Sequence, residues 1–523
     1  RTAAGMVIAG PVRSSLSLKE RGLLMRYLPD GEQMKKADQY TIQQIGVPSV
    51  VLMERAALKI VEVLEEKKKD LRRPLIVCGS GNNGGDGFAV ARILAEKGCH
   101  VDVLFTGRES SMTEECRLQA QIDKNLGINL FTEIPEKEYT VIIDAIFGVG
   151  LCREVAGHYR DVIGWMNRQT AQKVAVDIPS GICSATGKVL GIAFQAELTV
   201  SMACQKRGCA LYPGQICAGE VVPVTIGIDP EYFFEQKGVC MTYDKKELGN
   251  LLPERKEDSH KGSFGRVLMI TGSPGMAGAA YLSATAAYTV GAGLVQIYTA
   301  EENRQVLQGL LPEAIISCYR EYDEEKLDQL IGWADVICIG CGLGQSSRSE
   351  KILLHTIEKA KCPCVIDADG LNLLAGRKDL YKKLGKNMIL TPHMKEMSRL
   401  TGISVSEIVE RRFEVLHRFT EESPCICVLK DSRTIVAQKD RQNFLNLAGN
   451  AAMAKGGSGD VLAGVITGLL AQGMDGFQSA VTGVFLHACG GDEARDKKGG
   501  YSVLARDLIH GIQVAMKKAK ECN

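Results

Sequence analysis

Short, continuous apolar runs recur along almost the whole chain and alternate with segments of helical periodicity. A run of this kind predicts a strand that is buried on both faces, as in a parallel sheet covered by helices. Six such strands are predicted in the first half: PLIVCG, HVDVLF, VIIDAIFG, KVAVDIPSG, LTVSMAC and EVVPVTIG. Six more are predicted in the second half: GRVLMITG, LVQIYTA, DVICIG, CVIDADG, MILTPH and CICVLK. The pattern therefore predicts an α/β fold throughout.

The length of 523 residues is too great for one hydrophobic core, so at least two domains are expected. A stretch with Pro and Gly punctuation and no clear period surrounds Met241, and it predicts domains at residues 25–241 and 242–523. Residues 1–24 show no period either. We expect Met25 to be the natural initiator and residues 1–24 to be a leader or a segment added in cloning.

The charge and the cysteines exclude several classes of protein. A net charge of +1 offers no electrostatic attraction to nucleic acid or to an anionic membrane. No apolar run approaches the ~18 residues of a membrane helix. The 18 cysteines are scattered through predicted strands and helices, which is typical of reduced thiols, and the two C-x-C pairs lack the spacing of a zinc site. We expect a cytoplasmic protein with no nucleic-acid or membrane partner.

A glycine-rich loop, CGSGNNGGDGF, follows the first predicted strand and opens a helix. Gly79, Gly81 and Gly84 satisfy G-x-G-x-x-G, the fingerprint of dinucleotide-binding folds. Asp102 stands at about the distance of the ribose-binding acid, but it lies inside a strand rather than at its end. An NAD cofactor site is thus one interpretation. The other is that the loop only resembles such a site.

Two further strands end in polar residues. Asp144 ends VIIDA, and Asp177 ends KVAVD and is followed by Ser180. Each aspartate alone could be a helix cap or a turn residue. Together with the asparagines of NNGGD, however, they would converge at one edge of a parallel sheet. Oxygen ligands grouped in this way can hold a cation, and a remaining carboxylate can move protons.

The motifs GNNGGDGFAVAR, DAIFGVGLCREV and VDIPSG resemble the NAD(P)H-hydrate epimerase family, the YjeF N-terminal domain. The resemblance implies a Rossmann-like fold that binds a hydrated nicotinamide dinucleotide as a substrate. It implies that Asp177 is the catalytic acid/base and that K⁺ is held by Asn83, Asp144 and Ser180. The family usually has Thr at Val149 and Asp at Cys183. The implied substrate contacts are Asn82, Asn83, Gly84, Gly85, Asp86, Gly148, Val149, Gly150, Leu151, Cys152, Arg153, Glu154 and Asp177.

The second half contains GNAAMAKGGSGDVLAGVITGLLAQG, in which a glycine-rich entry leads into an apolar helix. Free backbone N–H groups and the helix dipole at such an N-terminus favour an anion. Asp460 stands where a phosphoryl group would arrive, and a carboxylate beside a bound anion is electrostatically costly unless it takes a proton from an attacking hydroxyl. The alternative is that the glycines only allow close packing and that Asp460 complements the dipole.

This arrangement is similar to the anion hole of the ribokinase-like fold. The segments HKGSFGRVLMITGSPGMAGAAYLSATAAYTVGAGLV, GCGLGQ, DADGLNLL and TPHMKEMSRL resemble the ADP/ATP-dependent NAD(P)H-hydrate dehydratase family. The resemblance implies that the C6 hydroxyl of the S-hydrate is phosphorylated and that phosphate is then eliminated, with Asp460 as the base. It implies substrate contacts at Ala279, Gly344, His393 and Asp460. The implied nucleotide contacts are Lys430, Asp431, Ser432, Arg433, Thr434 and Gly459.

Some assignments in the second half stay open. His393 could be a substrate ligand or a residue that caps a strand end. Asp367 and Asp369 could form a magnesium site, although we favour Asp369 as a helix cap that also touches substrate. The dehydratase family tends to have Pro at Cys341, Gly at Lys395 and Gly at Asp431, and the last difference places a carboxylate near the expected phosphates.

The favoured function is a multifunctional repair enzyme for damaged nicotinamide nucleotides, an isomerase fused to a lyase. We expect it to take NADHX or NADPHX, to use ADP with ATP as the alternative, to require K⁺ and Mg²⁺, and to form a homo-oligomer. One alternative is a ribokinase-like vitamin-alcohol kinase fused to a non-catalytic YjeF-type regulatory domain. Another makes the first domain an interaction module, but such modules should lack the acidic and cation-binding residues that stand here.

Overall fold

The computed structural model describes residues 25–234 and 236–521, so the predicted leader at residues 1–24 lies outside the described residues. The chain divides into two compact units. The N-terminal unit comprises Tyr27–Thr242 with Asp440–Asn443, and the C-terminal unit comprises most of the chain after Tyr243. None of the described helices combines the length and the apolar character needed to cross a membrane.

The first part of the chain alternates strands and helices in the predicted manner. Its strands are β1 Met25–Leu28, β2 Pro74–Cys78, β3 Asp102–Phe105, β4 Asn129–Phe131, β5 Val141–Ala145, β6 Gln172–Val176, β7 Leu198–Met202, β8 Glu220–Val224 and β9 Cys240–Tyr243. Its helices are α1 Gly31–Tyr40, α2 Ser49–Glu66, α3 Asn82–Glu96, α4 Glu114–Asn125, α5 Gly157–Arg168 and α6 Gly214–Ala218.

Seven of these strands form the parallel sheet of the N-terminal unit in the order β4-β3-β2-β5-β6-β7-β8. The chain moves outward from β2 through β3 to β4, then returns to the other side of β2 with β5. The carboxyl ends of β2 and β5 thus border a crevice, the usual ligand position in an open α/β sheet. Both strands are fully buried, as their mainly apolar sequences predict, although β5 includes Asp144.

The C-terminal part has strands β10 Arg266–Ile270, β11 Leu294–Ala300, β12 Ile315–Tyr319, β13 Val336–Ile339, β14 Cys364–Ile366, β15 Met388–Leu390, β16 Ile426–Leu429, β17 Ile435–Ala437 and β18 Phe444–Leu445. Its helices are α7 Leu248–Leu251, α8 Ala277–Thr289, α9 Arg304–Leu310, α10 Glu324–Trp333, α11 Ser347–Lys359, α12 Asp369–Ala375, α13 Met394–Thr401, α14 Val405–Glu410, α15 Arg412–Glu422, α16 Ser458–Ala471, α17 Gly476–Lys498 and α18 Ala505–Glu521.

These nine strands follow the order β18-β17-β16-β15-β14-β13-β10-β11-β12. The pairs from β16 to β12 are parallel, and the order reverses between β10 and β13. β17 pairs antiparallel with both β16 and β18, because the short connections of residues 430–434 and 438–443 can form hairpins but cannot make a parallel crossover.

All twelve strands predicted from apolar runs form, and the α/β fold class is confirmed. The strands missed by the sequence analysis are short or lie far from the sheet centre. β4, for example, has only partly buried or exposed residues, and β18 has two residues. Such strands bury too little surface to require a recognisable apolar run.

Candidate functional site

The sequence NNGGD is the first turn of a helix, and this corrects the prediction that it is a loop. Gly81 is the N-cap of α3, and Asn82 to Asp86 already have helical geometry. The loop is only Gly79 to Gly81. The free N–H groups of this first turn therefore point to the crevice between β2 and β5, where they can bind an anion.

Glycines are needed here because the helix lies very close to the strands. A Cβ atom on Gly84 would lie 1.9 Å from the carbonyl oxygen of Gly79. On Gly87 it would lie 2.6 Å from the Cβ atom of Ala145 and 2.8 Å from the Sγ atom of Cys78. The last glycine of the fingerprint thus serves helix–strand packing, as in dinucleotide-binding folds.

A buried oxygen cluster lies at the end of β5. Ser180 donates its hydroxyl to Oδ1 of Asp144 at 2.6 Å and its backbone N–H to Oδ2 at 2.7 Å. Burial raises the pKa of Asp144 to about 6, although the hydrogen bonds from Ser180 and Ile146 oppose this rise. Within the part of the chain that the structure describes, no lysine or arginine forms an ion pair with Asp144. Its carboxylate is therefore suited to an added cation.

Asn83 lies beside this cluster. Its side chain is buried, and its Nδ2 atom has no hydrogen-bond partner among the described residues. Asn83 lies next to Gly148, since a Cβ atom on Gly148 would be 3.5 Å from Oδ1 of Asn83. The preceding residue, Phe147, donates its N–H to Oγ of Ser180 at 2.9 Å. Asn83 and the Asp144–Ser180 pair thus both border residues 147–148, and amide, hydroxyl and carboxylate oxygens are ligands that suit a hard cation.

Asp177 follows β6 with a φ of +66°, a left-handed conformation that is costly for a residue with a side chain. Its Oδ1 atom accepts the N–H of Met202 at 2.9 Å and contacts the Nζ atom of Lys206. Lys206 is only 1% exposed and also donates to the carbonyl oxygen of Met202 at 2.7 Å. The hydrogen bond from Met202 and the buried ion pair with Lys206 therefore help to hold Asp177 in this strained conformation at the carboxyl end of the sheet.

Two more carboxyls face this ion pair. Burial, together with the charge of Asp177, raises the pKa of Asp38 to about 6, and the charge of Lys206 opposes that rise. The same influences, with Asp38 added, raise the pKa of Asp86 well above its usual range. Asp86 was a predicted substrate contact, whereas Asp38 and Lys206 were missed. Lys206 stands four residues beyond the end of β7, between Gln205 and Arg207, and nothing in this polar stretch marks it as buried.

The remaining predicted contacts of this unit, Gly148 to Glu154, form an irregular loop between β5 and α5. Val149 accepts the hydroxyl of Ser184 at 3.1 Å through its carbonyl oxygen, and the same hydroxyl accepts the N–H of Gly31. A Cβ atom on Gly31 would lie 2.3 Å from that carbonyl oxygen. The start of α1 therefore supports one end of the loop, while Cys152, Arg153 and Glu154 stay exposed.

In the C-terminal unit, α16 begins at Ser458 after Gly457, which has a φ of +88°. The predicted glycine-rich helix entry is thus present. Asp460 lies in its first turn, and burial, with a contribution from the charge of Asp367, raises the pKa of Asp460 to about 6. A carboxylate with this pKa is mostly ionised at neutral pH and can still accept a proton, as a general base requires.

Asp460 belongs to a charged cluster at the ends of β13 to β16. Asp367 pairs through Oδ1 with Nζ of Lys430 at 2.6 Å, and Lys430 lies 3.9 Å from Oε2 of Glu396. Burial disfavours the ammonium, but the charges of Asp367 and Glu396 outweigh it and raise the pKa of Lys430. Burial also raises the pKa of Glu396 to about 7. Lys430, predicted as a nucleotide contact, is thus engaged with carboxylates, and Glu396 was missed.

His393 caps helix α13. Its Nδ1 atom accepts the N–H groups of Lys395 and Glu396 at 3.1 and 3.2 Å, and Glu396 accepts the N–H of His393 in return. Nδ1 is therefore the unprotonated nitrogen, and Nε2 lies 3.2 Å from Oε1 of Glu396. Burial, with the positive charge of Lys430, lowers the pKa of His393. His393 thus caps a helix rather than a strand end, and its half-exposed ring remains available to a ligand.

The other predicted substrate contacts, Ala279 and Gly344, lie after strands β10 and β13. The backbone N–H of Gly344 donates to Oδ2 of Asp369 at 2.8 Å. Ala279 is buried in α8, and a Cβ atom on Gly342 would be 2.8 Å from its methyl group. Asp369 does not cap α12, since the N-cap is Ala368 and makes no side-chain bond. Asp369 instead fixes the Gly344 loop.

The predicted nucleotide segment forms the turn between β16 and β17. Asp431 pairs with the buried Arg412 at 3.2 Å, and its carbonyl oxygen accepts the hydroxyl of Thr434 at 3.0 Å. Arg433 donates to the carbonyl oxygen of Leu447 at 3.2 Å, and Ser432 is exposed. Arg412 thus partly neutralises the carboxylate of Asp431, whose negative charge is unfavourable near the expected phosphates.

Comparison with known proteins gives the same two-part division. Residues 49–208 match the family described as YjeF-related protein N-terminus, and residues 267–514 match the family described as NAD(P)H-hydrate dehydratase. The bifunctional NAD(P)H-hydrate repair enzyme Nnr of Moorella thermoacetica is 34% identical over 516 residues, which cover 95% of this chain and 97% of that protein. The enzyme of the same name from Coxiella burnetii is 35% identical over 492 residues, covering 94% and 99%. One similar solved structure is the crystal structure of ADP/ATP-dependent NAD(P)H-hydrate dehydratase from Bacillus subtilis, co-crystallised with ATP/Mg²⁺. It is 30% identical in sequence, and the match covers 53% of this chain and 97% of the dehydratase chain, with a TM-score of 0.47.

Proposed function

The chain belongs to the family of bifunctional NAD(P)H-hydrate repair enzymes, and from that premise we propose how its residues divide the repair. The N-terminal unit interconverts the R and S epimers of NAD(P)HX at C6. The C-terminal unit dehydrates the S epimer to NAD(P)H. The observation that supports the proposal is that each unit has a carboxylate near the carboxyl ends of its parallel strands: Asp177 directly follows β6, and Asp460 lies in the first turn of α16 close to Asp367, which follows β14.

In the N-terminal unit, Asp177 is the acid/base that moves the proton at the C6 hydroxyl. Lys206 is a positioning residue, because its ammonium holds Oδ1 of Asp177 and offsets the charges of Asp38 and Asp86. The first turn of α3 and the loop of residues 148–154 bind the dinucleotide, whose phosphates suit the free N–H groups of a helix N-terminus.

Potassium is the cation that we assign to Asn83, Asp144 and Ser180. The buried carboxylate of Asp144, which has no basic partner among the described residues, supports this assignment, and Oδ1 of the buried Asn83 is a suitable further ligand. The ion would neutralise Asp144 and offer a positive charge to substrate oxygens. Ser180 hydrogen-bonds to both oxygens of Asp144 and so preserves the ligand geometry with or without the cation.

In the C-terminal unit, Asp460 takes the proton of the C6 hydroxyl as that oxygen attacks the terminal phosphoryl group of the nucleotide. The N–H groups at the start of α16 stabilise the transferring phosphoryl group. Phosphate then leaves from C6 while C5 loses a proton to solvent, which forms the C5–C6 double bond of NAD(P)H. Ala279, Gly344 and His393 contact the hydrate, and the segment Lys430–Thr434 with Gly459 contacts the nucleotide. We propose ADP as the phosphoryl donor, with Mg²⁺ supplying charge neutralisation of its phosphates.

The two activities are tested with the separate epimers. Reduced-nicotinamide absorbance should return from the S epimer with ADP, and from the R epimer only through both units. Asp177→Ala should block recovery from R, beyond its spontaneous rate, and leave recovery from S intact. Asp460→Asn should block both. Absence of recovery with ADP and with ATP would refute the repair function, whereas normal conversion of R by Asp177→Ala would refute only the role of Asp177.

We also propose that the protein works in the cytoplasm as a homo-oligomer. The reduced cysteines support the first statement, since all described cysteines are free thiols. Light scattering of the full chain tests the second, and a monomeric mass would refute it.

A further inference from the structure

Three metal-ligating side chains of different kinds meet beside the entry to α16. One ligand atom each of Cys341, Asp367 and Asp460 lies within 4.8 Å of the other two. Cys341 and Asp367 are 0% and 1% exposed, and Asp460 is half-buried. Cys341 follows β13, Asp367 follows β14, and Asp460 is on a helix, so the framework of the unit holds the three groups together.

The two oxygens of Asp367 face different partners. Oδ1 is engaged with Nζ of Lys430 at 2.6 Å, whereas Oδ2 faces the thiol of Cys341 at 4.0 Å. A side chain at position 459 would occupy the volume beside this oxygen, because its Cβ atom would lie 3.7 Å from Oδ2. Gly459 leaves that volume open. Oδ2 is therefore oriented towards the same small region as the sulfur atom and the carboxylate of Asp460.

Charge and ligand type both specify what could bind. With Cys341 as a thiolate, the three ligands carry three negative charges, of which Lys430 neutralises one, so a divalent cation would complete the balance. One sulfur and two carboxylate oxygens suit Zn²⁺ and its heavier congener Cd²⁺, whereas Mg²⁺ prefers oxygen ligands alone. Bond lengths of about 2.3 Å to sulfur and about 2.1 Å to oxygen require the side chains to close in slightly.

We propose that Cys341, Asp367 and Asp460 form a binding site for a thiophilic divalent cation, and that occupancy of this site inhibits the C-terminal reaction. On binding, the S–H bond of Cys341 breaks, its proton passes to solvent, and a sulfur–metal bond forms without any change of oxidation state. Three protein ligands leave a fourth position for water. The binding claim is independent of the proposed function, whereas inhibition rests on the proposed role of Asp460.

Cd²⁺ tests the site directly, because cadmium–thiolate bonds absorb in the ultraviolet. Metal-free, reduced full-length protein is titrated with Cd²⁺ alone. We expect the band from the first equivalent to be lost in Cys341→Ala and in Cys341→Ser. Asp460→Asn keeps the thiol but should weaken Cd²⁺ binding by at least about tenfold. Cys362→Ala, which removes a partly exposed thiol outside the cluster, is the matched control and should keep the band.

A band of normal amplitude in both Cys341 variants, or unchanged Cd²⁺ affinity in Asp460→Asn, would overturn the site. Inhibition is measured separately, by adding a single equivalent of Cd²⁺ to the dehydration of the S epimer with excess Mg²⁺ and ADP. We expect recovery of absorbance to stop and to resume with a chelator, while epimerisation continues. Binding without loss of dehydration would overturn the inhibition but not the site. Loss of dehydration without cadmium would count against the proposed function instead.

Discussion

Replacement of Lys206 with Met should strongly destabilise the N-terminal unit. Met has a similar length but no charge, so the variant loses the ion pair with Asp177 and the hydrogen bond to the carbonyl oxygen of Met202. Because Lys206 is only 1% exposed, water cannot replace these interactions. The carboxyls of Asp177, Asp38 and Asp86 are then left together without the ammonium.

The expected magnitude follows from the buried pair. Removal of one partner of such a pair costs about 3–5 kcal/mol. A single charge interaction across about 4 Å at an effective dielectric constant of about 20 is worth about 4 kcal/mol, in agreement with that range. We therefore expect the free energy of unfolding of this unit to fall by about 4 kcal/mol at neutral pH.

The loss should depend on pH. Lys206 lowers the pKa values of Asp38 and Asp86, so its removal raises them further in the folded state. A carboxyl whose folded pKa is raised penalises folding as the pH rises from its ordinary value of 3.8 through the folded value, about 6 for Asp38 in the native protein. In the variant this penalty is larger and extends to higher pH. Because Asp38 ionises near pH 6 in the native protein and only at higher pH in the variant, the difference between the two proteins should be nearly constant below pH ~6 and should increase above it.

Trp165 provides the measurement. The sequence has two tryptophans, and Trp165 is in α5 of the N-terminal unit while Trp333 is in α10 of the other. In a Trp333→Phe background, denaturant unfolding followed by fluorescence reports the N-terminal unit. Lys173→Met is the control, because Lys173 contacts the carbonyl oxygens of Gln169 and Ala171. A loss below about 1 kcal/mol, or one that does not change with pH, would refute the reasoning.

Three further predictions concern the glycine turn, the base and the nucleotide loop. Gly84→Ala should lower the free energy of unfolding, measured with urea, by about 1–3 kcal/mol, because its Cβ atom would clash with backbone. Gly81→Ala places its Cβ atom in open space and should lower it by less than about 1 kcal/mol. Equal losses in the two variants would contradict the packing argument. The kcat of dehydration should fall tenfold per pH unit below pH ~6, since Asp460 with a pKa of about 6 must be ionised to act as a base; a flat profile down to pH ~5 would exclude that role. Arg412→Ala leaves Asp431 uncompensated, so the KM for ADP should rise about tenfold with kcat nearly unchanged; an unchanged KM would place Asp431 away from the phosphates.

The sequence was most informative where burial acts on a whole segment. The twelve apolar runs became strands because strands that are covered on both faces must be apolar at successive positions. The helix entry at Ser458 was also predictable, since Gly457 adopts a φ of +88° that other residues disfavour. The boundary near residue 241 and the site residues stay predictions.

Single contacts between distant segments were not predictable in the same way. The pairing of Asp367 with Lys430 joins residues 63 positions apart, and that of Asp177 with Lys206 joins residues 29 apart. No period or motif encodes such a contact, because it depends on which strand ends become neighbours. The first turn of α3 was mistaken for a loop for a related reason. Glycines suggest a flexible loop in isolation, but here they allow a helix to pack against strands.

The two missed lysine contacts indicate a common electrostatic solution in the two units. In each unit several carboxyls lie at the carboxyl ends of parallel strands, and burial alone would keep them protonated and unable to act as bases. Lys206 lowers the pKa values of Asp38 and Asp86, and Lys430 lowers that of Asp460. For Asp460 the result is a pKa of about 6, which leaves the carboxylate about nine-tenths ionised at neutral pH. In both units a lysine thus opposes the rise in carboxyl pKa that burial causes, and for Asp460 the hydrogen bond from Cys341 opposes that rise as well.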